Sequence, residues 1–314
     1  MRGAALRTDD LPKWLLCTSL LLATLCMLSP RHLIAQDGHL DADRPVYKFG
    51  VTSWQHGQTV DEIRGLYRPM LEWLGEEVDA EFVIVGSRGY SQITEMLANE
   101  SIHLASISPT PFILAQARNP NVRMLVTELS LSLDDSNSSP FYEAYLVTHI
   151  DRDDIDSVDS MEGLRLGLVK KPESTSGYIY PAMYFSEHGV DYTEHFERVY
   201  FLGSHPRVTD AIIAGSIDVG ATWDFNLKQA IKKHGDRFNI VSVIGTIPNL
   251  GIATNSSLPR DEADRIRAAL LEIEPVLLEG IPSSGFVTGE DEFYDEVRRA
   301  IEHSMPLRSP VSRQ

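Results

Sequence analysis

The stretch Ser174-Thr175-Ser176-Gly177 contains the residue types that most directly suggest chemistry in this sequence. It lies between a run typical of a strand, 164–169, and a run typical of a helix, 178–187. The first backbone N–H groups of a helix lack partners and the helix dipole is positive there, so hydroxyls at this point favour an anion site. Serine and threonine also cap helices without any ligand. The motif alone is therefore compatible with a plain cap or with an anion site.

Two further loops follow the next two predicted strands, Gly203-Ser204-His205 and Thr222-Trp223-Asp224. Because open α/β sheets bind ligands at the carboxyl ends of their strands, we expect all three loops to lie near one site. The first of these two loops adds an imidazole at a helix start, and the second adds a carboxylate beside an aromatic ring. A carboxylate would repel a bound dianion, so Asp224 favours a ligand with an acidic O–H or a cationic group. Capping is the alternative role for Asp224 and for His205.

Strand-like and helix-like patterns alternate around these loops, which predicts an α/β fold with largely parallel sheets. The pattern restarts near residue 145, so we predict two lobes with a cleft between them. We assign residues 46–144 and 246–314 to the first lobe and residues 145–245 to the second.

Three segments resemble the phosphonate/phosphite-binding periplasmic proteins of ABC transporters. They are Ser-Thr-Ser-Gly-Tyr-Ile-Tyr-Pro (174–181), Gly-Ser-His (203–205) and Gly-Ser-Ile-Asp-Val-Gly-Ala-Thr-Trp-Asp (215–224). The similarity extends over residues 46 to 280, and the first two segments are its most specific part. The resemblance implies a two-lobed type II periplasmic-binding-protein fold. Each lobe would be a mostly parallel sheet flanked by helices, and the cleft between them would close on a small phosphorus oxyanion.

The resemblance also implies roles for the second lobe. Ser174, Thr175 and Ser176 would cradle the oxygens of the anion. His205 would donate a charge-assisted hydrogen bond, and Asp224 would accept a proton from the ligand.

For the rest of the site, the resemblance places Tyr142 at the cleft rim and Trp54, Ser108 and Thr110 in the first lobe, where they would close the site. Trp54 has an alternative role as a filler of the seam between the lobes. Relatives that take organophosphonates often carry an aromatic residue where this chain has Ile107 or Ser108. The smaller, more polar turn here favours a compact anion.

Residues 1–35 have a different character from the rest of the chain. Three basic residues precede an apolar run, 14–28, which fits a secretory signal peptide and is short for a membrane span. Export to the periplasm is therefore the expectation, and an uncleaved N-terminal anchor is the alternative.

Both cysteines, Cys17 and Cys26, lie in that segment, so the mature chain would contain none. This excludes a disulfide framework, a thiol nucleophile and a cysteine-ligated metal from the mature chain. The net charge of −17 argues against nucleic acid and anionic membranes as partners. His188 and His195 are expected on a helix end and a loop, without a third ligand beside them in space, so we expect neither a metal nor a cofactor.

These features together predict an exported, monomeric solute-binding protein that delivers a small anion to an ABC permease without making or breaking a bond. A ligand-binding partner of a membrane sensor such as a histidine kinase is the alternative, because its cleft would be identical. An enzyme on the same scaffold would need an activated nucleophile or a cofactor site. Ser176, His205 and Asp224 supply residue types for a hydrolase, but the resemblance makes them binding groups.

Overall fold

A computed structural model describes residues 44–52, 59–131, 133, 138–170 and 172–304. These residues belong to one unit, Ala42–Gln314. The predicted signal segment and Trp54 lie outside the described residues. Within the described ranges, no helix has both the length and the apolar character needed to cross a bilayer.

The described strands form two sheets, numbered here along the chain. The first sheet contains β1 (Val46–Thr52), β2 (Glu81–Ser87), β3 (Leu104–Ile107), β4 (Arg123–Leu131), β5 (Ser138–Ser139), β11 (Gly251–Thr254) and β12 (Gly285–Thr288). Its strand order is β12-β4-β11-β3-β1-β2, with β5 paired to β4. The second sheet contains β6 (Phe141–His149), β7 (Arg165–Leu168), β8 (Arg198–Phe201), β9 (Val219–Trp223) and β10 (Phe238–Pro248), in the order β10-β6-β9-β7-β8. We call the part around each sheet a lobe.

Helices flank both sheets. The α-helices are α1 (Val60–Val78), α2 (Tyr90–Ala98), α3 (Pro109–Arg118), α4 (Tyr180–Glu187), α5 (Tyr192–His195), α6 (His205–Ile213), α7 (Asp224–His234), α8 (Arg260–Leu271) and α9 (Asp295–Ser304). A π-helical turn, Thr175–Ile179, leads into α4. Short 3₁₀ turns occupy Asp159–Met161, Pro275–Leu278 and Asp291–Tyr294.

The predicted α/β fold is confirmed, but both sheets are mixed. Strand β1 pairs in parallel with β2 and β3, and β7 pairs in parallel with β8 and β9. The other ladders are antiparallel, whereas the sequence predicted largely parallel sheets. Part of the antiparallel pairing arises where the chain passes from the first sheet to the second and back. It enters the second sheet through β6 and leaves through β10, and these two strands lie side by side, so they run in opposite directions.

Helix α1 carries one wall of the site described below and begins at a capping box. Thr59 and Glu62 make a reciprocal capping box, with the Glu62 N–H donating to the Thr59 hydroxyl at 3.2 Å. Ile63, Tyr67 and Met70 fall on the buried face of the helix. The same spacing that packs α1 against its sheet thus fixes the position of Tyr67.

Candidate functional site

A cavity of about 60 Å³ is lined by residues of both lobes. The lining residues are Thr52, Tyr67, Tyr90, Ile93, Ser106, Ile107, Ser108, Tyr142, Ser174, Thr175, Ser176, His205, Trp223, Leu250 and Pro282. Nine of them carry hydroxyl groups, and no lysine, arginine, aspartate or glutamate of the described chain is among them. The volume corresponds to about four to six water-sized groups. The cavity therefore suits a very small polar ligand and offers it uncharged hydrogen-bonding groups.

Five helical segments begin at this cavity. Tyr90 and His205 are the first residues of α2 and α6, while Ser108, Ser174 and Trp223 are the N-caps of α3, the π-helical turn and α7. A helix start carries roughly half a positive charge and exposes N–H donors. The positive ends of several helices thus converge on a pocket that has no cationic side chain in its described lining.

The Ser174 turn is built as an N-terminal cap. The Ser174 hydroxyl accepts a hydrogen bond from the Gly177 N–H at 3.2 Å, and the Ser174 carbonyl accepts one from the Ile179 N–H at 3.0 Å. The backbone N–H groups of Thr175 and Ser176 have no hydrogen-bond partner among the described residues. These two donors lie at the start of the turn and are available to a ligand.

Thr175 lines the cavity, but its hydroxyl is engaged by the first lobe. It accepts a hydrogen bond from the Thr110 N–H at 3.1 Å and donates one to the Thr110 hydroxyl at 2.9 Å. Thr110 is fully buried and does not belong to the lining. Thr110 and Thr175, both predicted site residues, therefore hydrogen-bond to each other across the two lobes.

His205 and Ser176 face each other, with His205 Nε2 3.4 Å from the Ser176 oxygen. Burial lowers the pKa of His205 to about 4, and the Ala221 carbonyl opposes this shift only in part. The imidazole is therefore neutral near pH 7. Its Nδ1 makes no well-aligned hydrogen bond to a described residue.

Aromatic side chains form a wall around these groups. The Trp223 ring lies 5.1 Å from that of Tyr142 and 6.3 Å from that of His205, both in edge-on arrangements. Burial raises the pKa of Tyr142, and a hydrogen bond with Ser176 offsets this only in part. Tyr142 therefore keeps its proton and can donate a hydrogen bond.

The lining includes residues that the sequence did not single out, among them Tyr67, Tyr90 and Ser106. The Tyr67 and Ser106 hydroxyls lie 2.9 Å apart. Burial raises the pKa of Tyr90 to about 12, with a further contribution from the Glu173 carboxylate and an opposing one from Ser174. Tyr67 has the spacing of a core residue on α1, and Tyr90 is the first residue of α2, so neither position carries a sequence signal for a ligand site.

Asp224 is buried as the first residue of α7, but it is not part of the described lining. Its carboxylate accepts a hydrogen bond from the Glu143 N–H at 2.8 Å and another from the Tyr145 hydroxyl. Burial raises the pKa of Tyr145, and the bonded carboxylate adds to this. Ligand contact by Asp224 stays a prediction, as does the contact of Trp54, which is not among the described residues.

The two histidines considered as metal ligands bond to backbone instead. His188 Nδ1 lies 2.7 Å from the Tyr184 carbonyl oxygen, and His195 Nε2 lies 2.9 Å from that of Val158. In the part of the chain that the structure describes, no group of three or more His, Cys, Asp or Glu side chains is arranged to hold a metal ion.

The sequence and fold match known proteins over most of the described chain. A family model described as "ABC transporter, phosphonate, periplasmic substrate-binding protein" matches residues 49–294. The phosphate-import protein PhnD of Mycolicibacterium smegmatis is 22% identical over 240 residues, which cover 73% of this chain and 72% of that protein.

Two crystal structures show the same fold at low sequence identity. A binding component of an ABC phosphonate transporter from Pseudomonas aeruginosa superposes with a TM-score of 0.68 at 18% identity, over 82% of this chain and 86% of that one. PhnD1 from Prochlorococcus marinus, in complex with methylphosphonate, superposes with a TM-score of 0.67 at 15% identity, over 81% and 96%. The predicted two-lobed periplasmic-binding-protein fold is confirmed by these similarities.

Proposed function

Because the chain belongs to the family of periplasmic substrate-binding proteins of phosphonate ABC transporters, we propose that it captures a small phosphorus oxyanion in the cavity between its lobes and delivers it to an ABC permease. The ligand class we propose is phosphonate, phosphite or phosphate. The family consists of binding proteins for transport, so the proposed cycle is capture and release.

One observation carries the proposal: five helix starts and nine hydroxyls surround a pocket whose described lining has no charged side chain. An anion in such a pocket gains the positive ends of the helix dipoles and hydrogen bonds that its charge strengthens about twofold over neutral ones. A cation would meet no carboxylate in this lining. The chain as a whole carries a net charge of −17, so attraction for an anion must arise locally.

The volume of the cavity supports a compact ligand. Space for about four to six water-sized groups matches the four or five heavy atoms of phosphite, phosphate or methylphosphonate. A long organic substituent would not fit in this volume without opening the lobes.

We assign the anion contacts mainly to the second lobe. The N–H groups of Thr175 and Ser176, the hydroxyls of Ser174 and Ser176, and the ring of His205 surround one side of the cavity. The hydroxyls of Tyr142 and Ser108, with Tyr67 and Tyr90, offer donors from the other sides. A hydroxyl can also accept a hydrogen bond, so these groups can bind a ligand that keeps an acidic O–H.

Closure of the two lobes would complete the site. Residues of both lobes line the cavity, so an open form would leave the anion half-solvated. Excluding water lowers the local dielectric constant and strengthens each hydrogen bond to the anion. Reopening at the permease would restore solvent competition and release the ligand.

Thermal denaturation with a panel of anions tests the assignment. The panel contains phosphate, phosphite, methylphosphonate and 2-aminoethylphosphonate, with sulfate as a tetrahedral control. A ligand at one hundred times its Kd should stabilise the protein by about 2.7 kcal/mol. Ser176→Ala should weaken the binding of the stabilising anion by about 1.5–3 kcal/mol, because it removes a donor to a charged group.

Ser186→Ala is the matched control, since Ser186 is an exposed serine on α4. It should bind like the wild type. Absence of stabilisation by every phosphorus anion would overturn the proposed function, and equal binding by the two variants would overturn the contact assigned to Ser176.

A further inference from the structure

The short segment formed by Glu173, Ser174 and Thr175 connects the lobes on both sides of the cavity. Ser174, in the middle, lines the cavity as the cap of the π-helical turn. The residues on either side of it hydrogen-bond to helices of the first lobe: Glu173 to α2 and Thr175 to α3. We call this segment the clasp.

Glu173 supplies an acid to a helix start that has no side-chain cap of its own. The N-cap of α2 is Gly89, which makes no side-chain hydrogen bond, and the Ser91 hydroxyl in the first turn donates to the Glu173 carboxylate. The side chain of Glu173 is only 12% exposed, and Lys170 Nζ lies 2.9 Å from its second oxygen. A carboxylate at a helix N-terminus is stabilised by the dipole, so this contact favours the joined lobes.

Thr175 performs the corresponding role at α3. The Thr110 N–H belongs to the first turn of α3, where backbone donors lack helical partners, and it donates to the Thr175 hydroxyl at 3.1 Å. The Thr175 hydroxyl has a single hydrogen, which it donates to the Thr110 oxygen at 2.9 Å. While both bonds are present, this hydroxyl has no proton left for an anion.

We propose that Glu173 and Thr175 are positioning residues that hold the cavity closed by hydrogen-bonding to the first turns of α2 and α3 from the opposite lobe, and that their side chains do not donate to the anion. This proposal rests on the proposed function for the identity of the ligand, but the clasp should favour the closed form of the protein even without a ligand. Its contacts form only when the lobes meet. Losing them lowers the closed fraction, and the apparent affinity falls in proportion to that fraction.

The closed fraction can be measured directly in the mature, ligand-free protein. Nitroxide labels on cysteines introduced at Glu77 and Lys232, both exposed, would report the distance between α1 and α7 by pulsed electron resonance. Both native cysteines lie in the predicted signal segment, so the mature protein offers no competing thiol. Glu173→Gln and Thr175→Val should increase the share of long distances relative to the wild type.

Two variants serve as controls for these changes. Thr175→Ser keeps the hydroxyl, and Glu187→Gln neutralises an exposed acid elsewhere, so both should give the wild-type distribution. Distributions that are the same in Glu173→Gln, Thr175→Val and the controls would overturn the clasp.

Anion titrations then separate closure from direct contact. Each clasp variant should weaken phosphate, phosphite and methylphosphonate by one common factor, about 3- to 10-fold, because it removes either the charged contact of Glu173 or the two neutral hydrogen bonds of Thr175. The double variant Ser91→Ala, Glu173→Gln should bind the anions no more weakly than the weaker of the two single variants, because both substitutions remove the same hydrogen bond. A changed order of preference among the anions, or additive losses, would overturn the assignment.

The two proposals fail in distinguishable ways. If the wild type binds none of these anions, the proposed function fails, while the label distances still decide the clasp. If the anions bind but the distances do not respond to Glu173→Gln, only the clasp fails.

Discussion

The hydroxyl oxygen of Ser176 lies 3.4 Å from Nε2 of His205, and both side chains are more than nine-tenths buried. This relationship places a titratable ring at the edge of a cavity whose other described lining groups are uncharged near pH 7. The pKa of His205 is lowered to about 4, mainly by burial. The imidazole is therefore neutral in the empty cavity near pH 7, and its charged form needs a bound anion to stabilise it.

Anion binding should be accompanied by proton uptake at His205. The free imidazole is neutral, and a nearby anion favours its charged form, so the pKa rises on binding. Uptake should occur between the free and bound pKa values, and affinity should increase as pH falls through that interval. Titration calorimetry in buffers of different ionisation enthalpy measures the protons exchanged. His205→Gln should lose this uptake, while His188→Gln, at an exposed site, should retain it.

The same histidine should make the ligand-free protein less stable in acid. Its pKa is about 4 when folded and about 6.5 when unfolded, so protons bind the unfolded chain more readily. The stability is therefore complete above about pH 6.5 and is lost as pH falls through the folded pKa, by up to about 3 kcal/mol. Urea denaturation at several pH values measures the loss.

His205→Asn should flatten this part of the stability profile, whereas His188→Asn should follow the wild type. An unchanged profile in the His205 variant would mean that other groups cause the acid sensitivity.

The second-lobe part of the candidate site was predictable because its residues lie in loops that follow strands. Ser174, Ser176 and His205 come a few residues after the carboxyl ends of β7 and β8, so the order of strands and loops places them at one edge of the sheet. The capping box of α1 was equally local, since it depends on residues three positions apart. Patterns of this kind need no knowledge of tertiary contacts.

The remaining lining depends on contacts between distant segments. Tyr67 has the spacing of a core residue on α1, and only the fold places its hydroxyl beside Ser106. Asp224 begins its helix as the sequence indicates, but its carboxylate bonds to Tyr145 and Glu143 on the neighbouring strand β6. The hydrogen-bond partner of a buried polar group depends on which distant segments of the chain pack together. The spacing of residues in the sequence does not specify that partner.

Glu128 should make the protein less stable at alkaline pH. Its side chain is buried on β4, and burial raises its pKa to about 8, from 4.5. The unfolded chain releases this proton first, so the stability is complete below about pH 4.5 and is lost as pH rises through the folded pKa. The Glu128→Gln variant does not titrate. Between about pH 4.5 and 8 its unfolding free energy should gain up to about 5 kcal/mol over the wild type.

Thermal or urea denaturation of the two proteins across this pH range measures the gain. Glu77→Gln, at an exposed position of α1, should show no comparable change. A constant difference between Glu128→Gln and the wild type would show that Glu128 is ionised in the folded protein.

Gly177→Ala should disturb the proposed anion site through packing. An added Cβ would lie 2.3 Å from Cγ2 of Val169 and 2.7 Å from the Ser174 hydroxyl oxygen, both too close for real contacts. The turn must then move away from the end of β7, which breaks the cap that Ser174 makes with the residue 177 N–H. We expect a loss of about 1–3 kcal/mol in stability, with weaker anion binding.

A second substitution distinguishes this clash from a general effect of alanine. Val169→Gly in the Gly177→Ala background removes both Val169 contacts of the added Cβ, Cγ2 at 2.3 Å and Cβ at 2.5 Å, and should restore part of the affinity, although the Ser174 contact remains. Gly65→Ala is the matched control, because Gly65 lies in α1 with no atom within 4 Å of an added Cβ. It should leave binding unchanged and stabilise the helix slightly. Wild-type affinity in Gly177→Ala would show that the turn tolerates the shift and that the cap does not set the geometry of the donors.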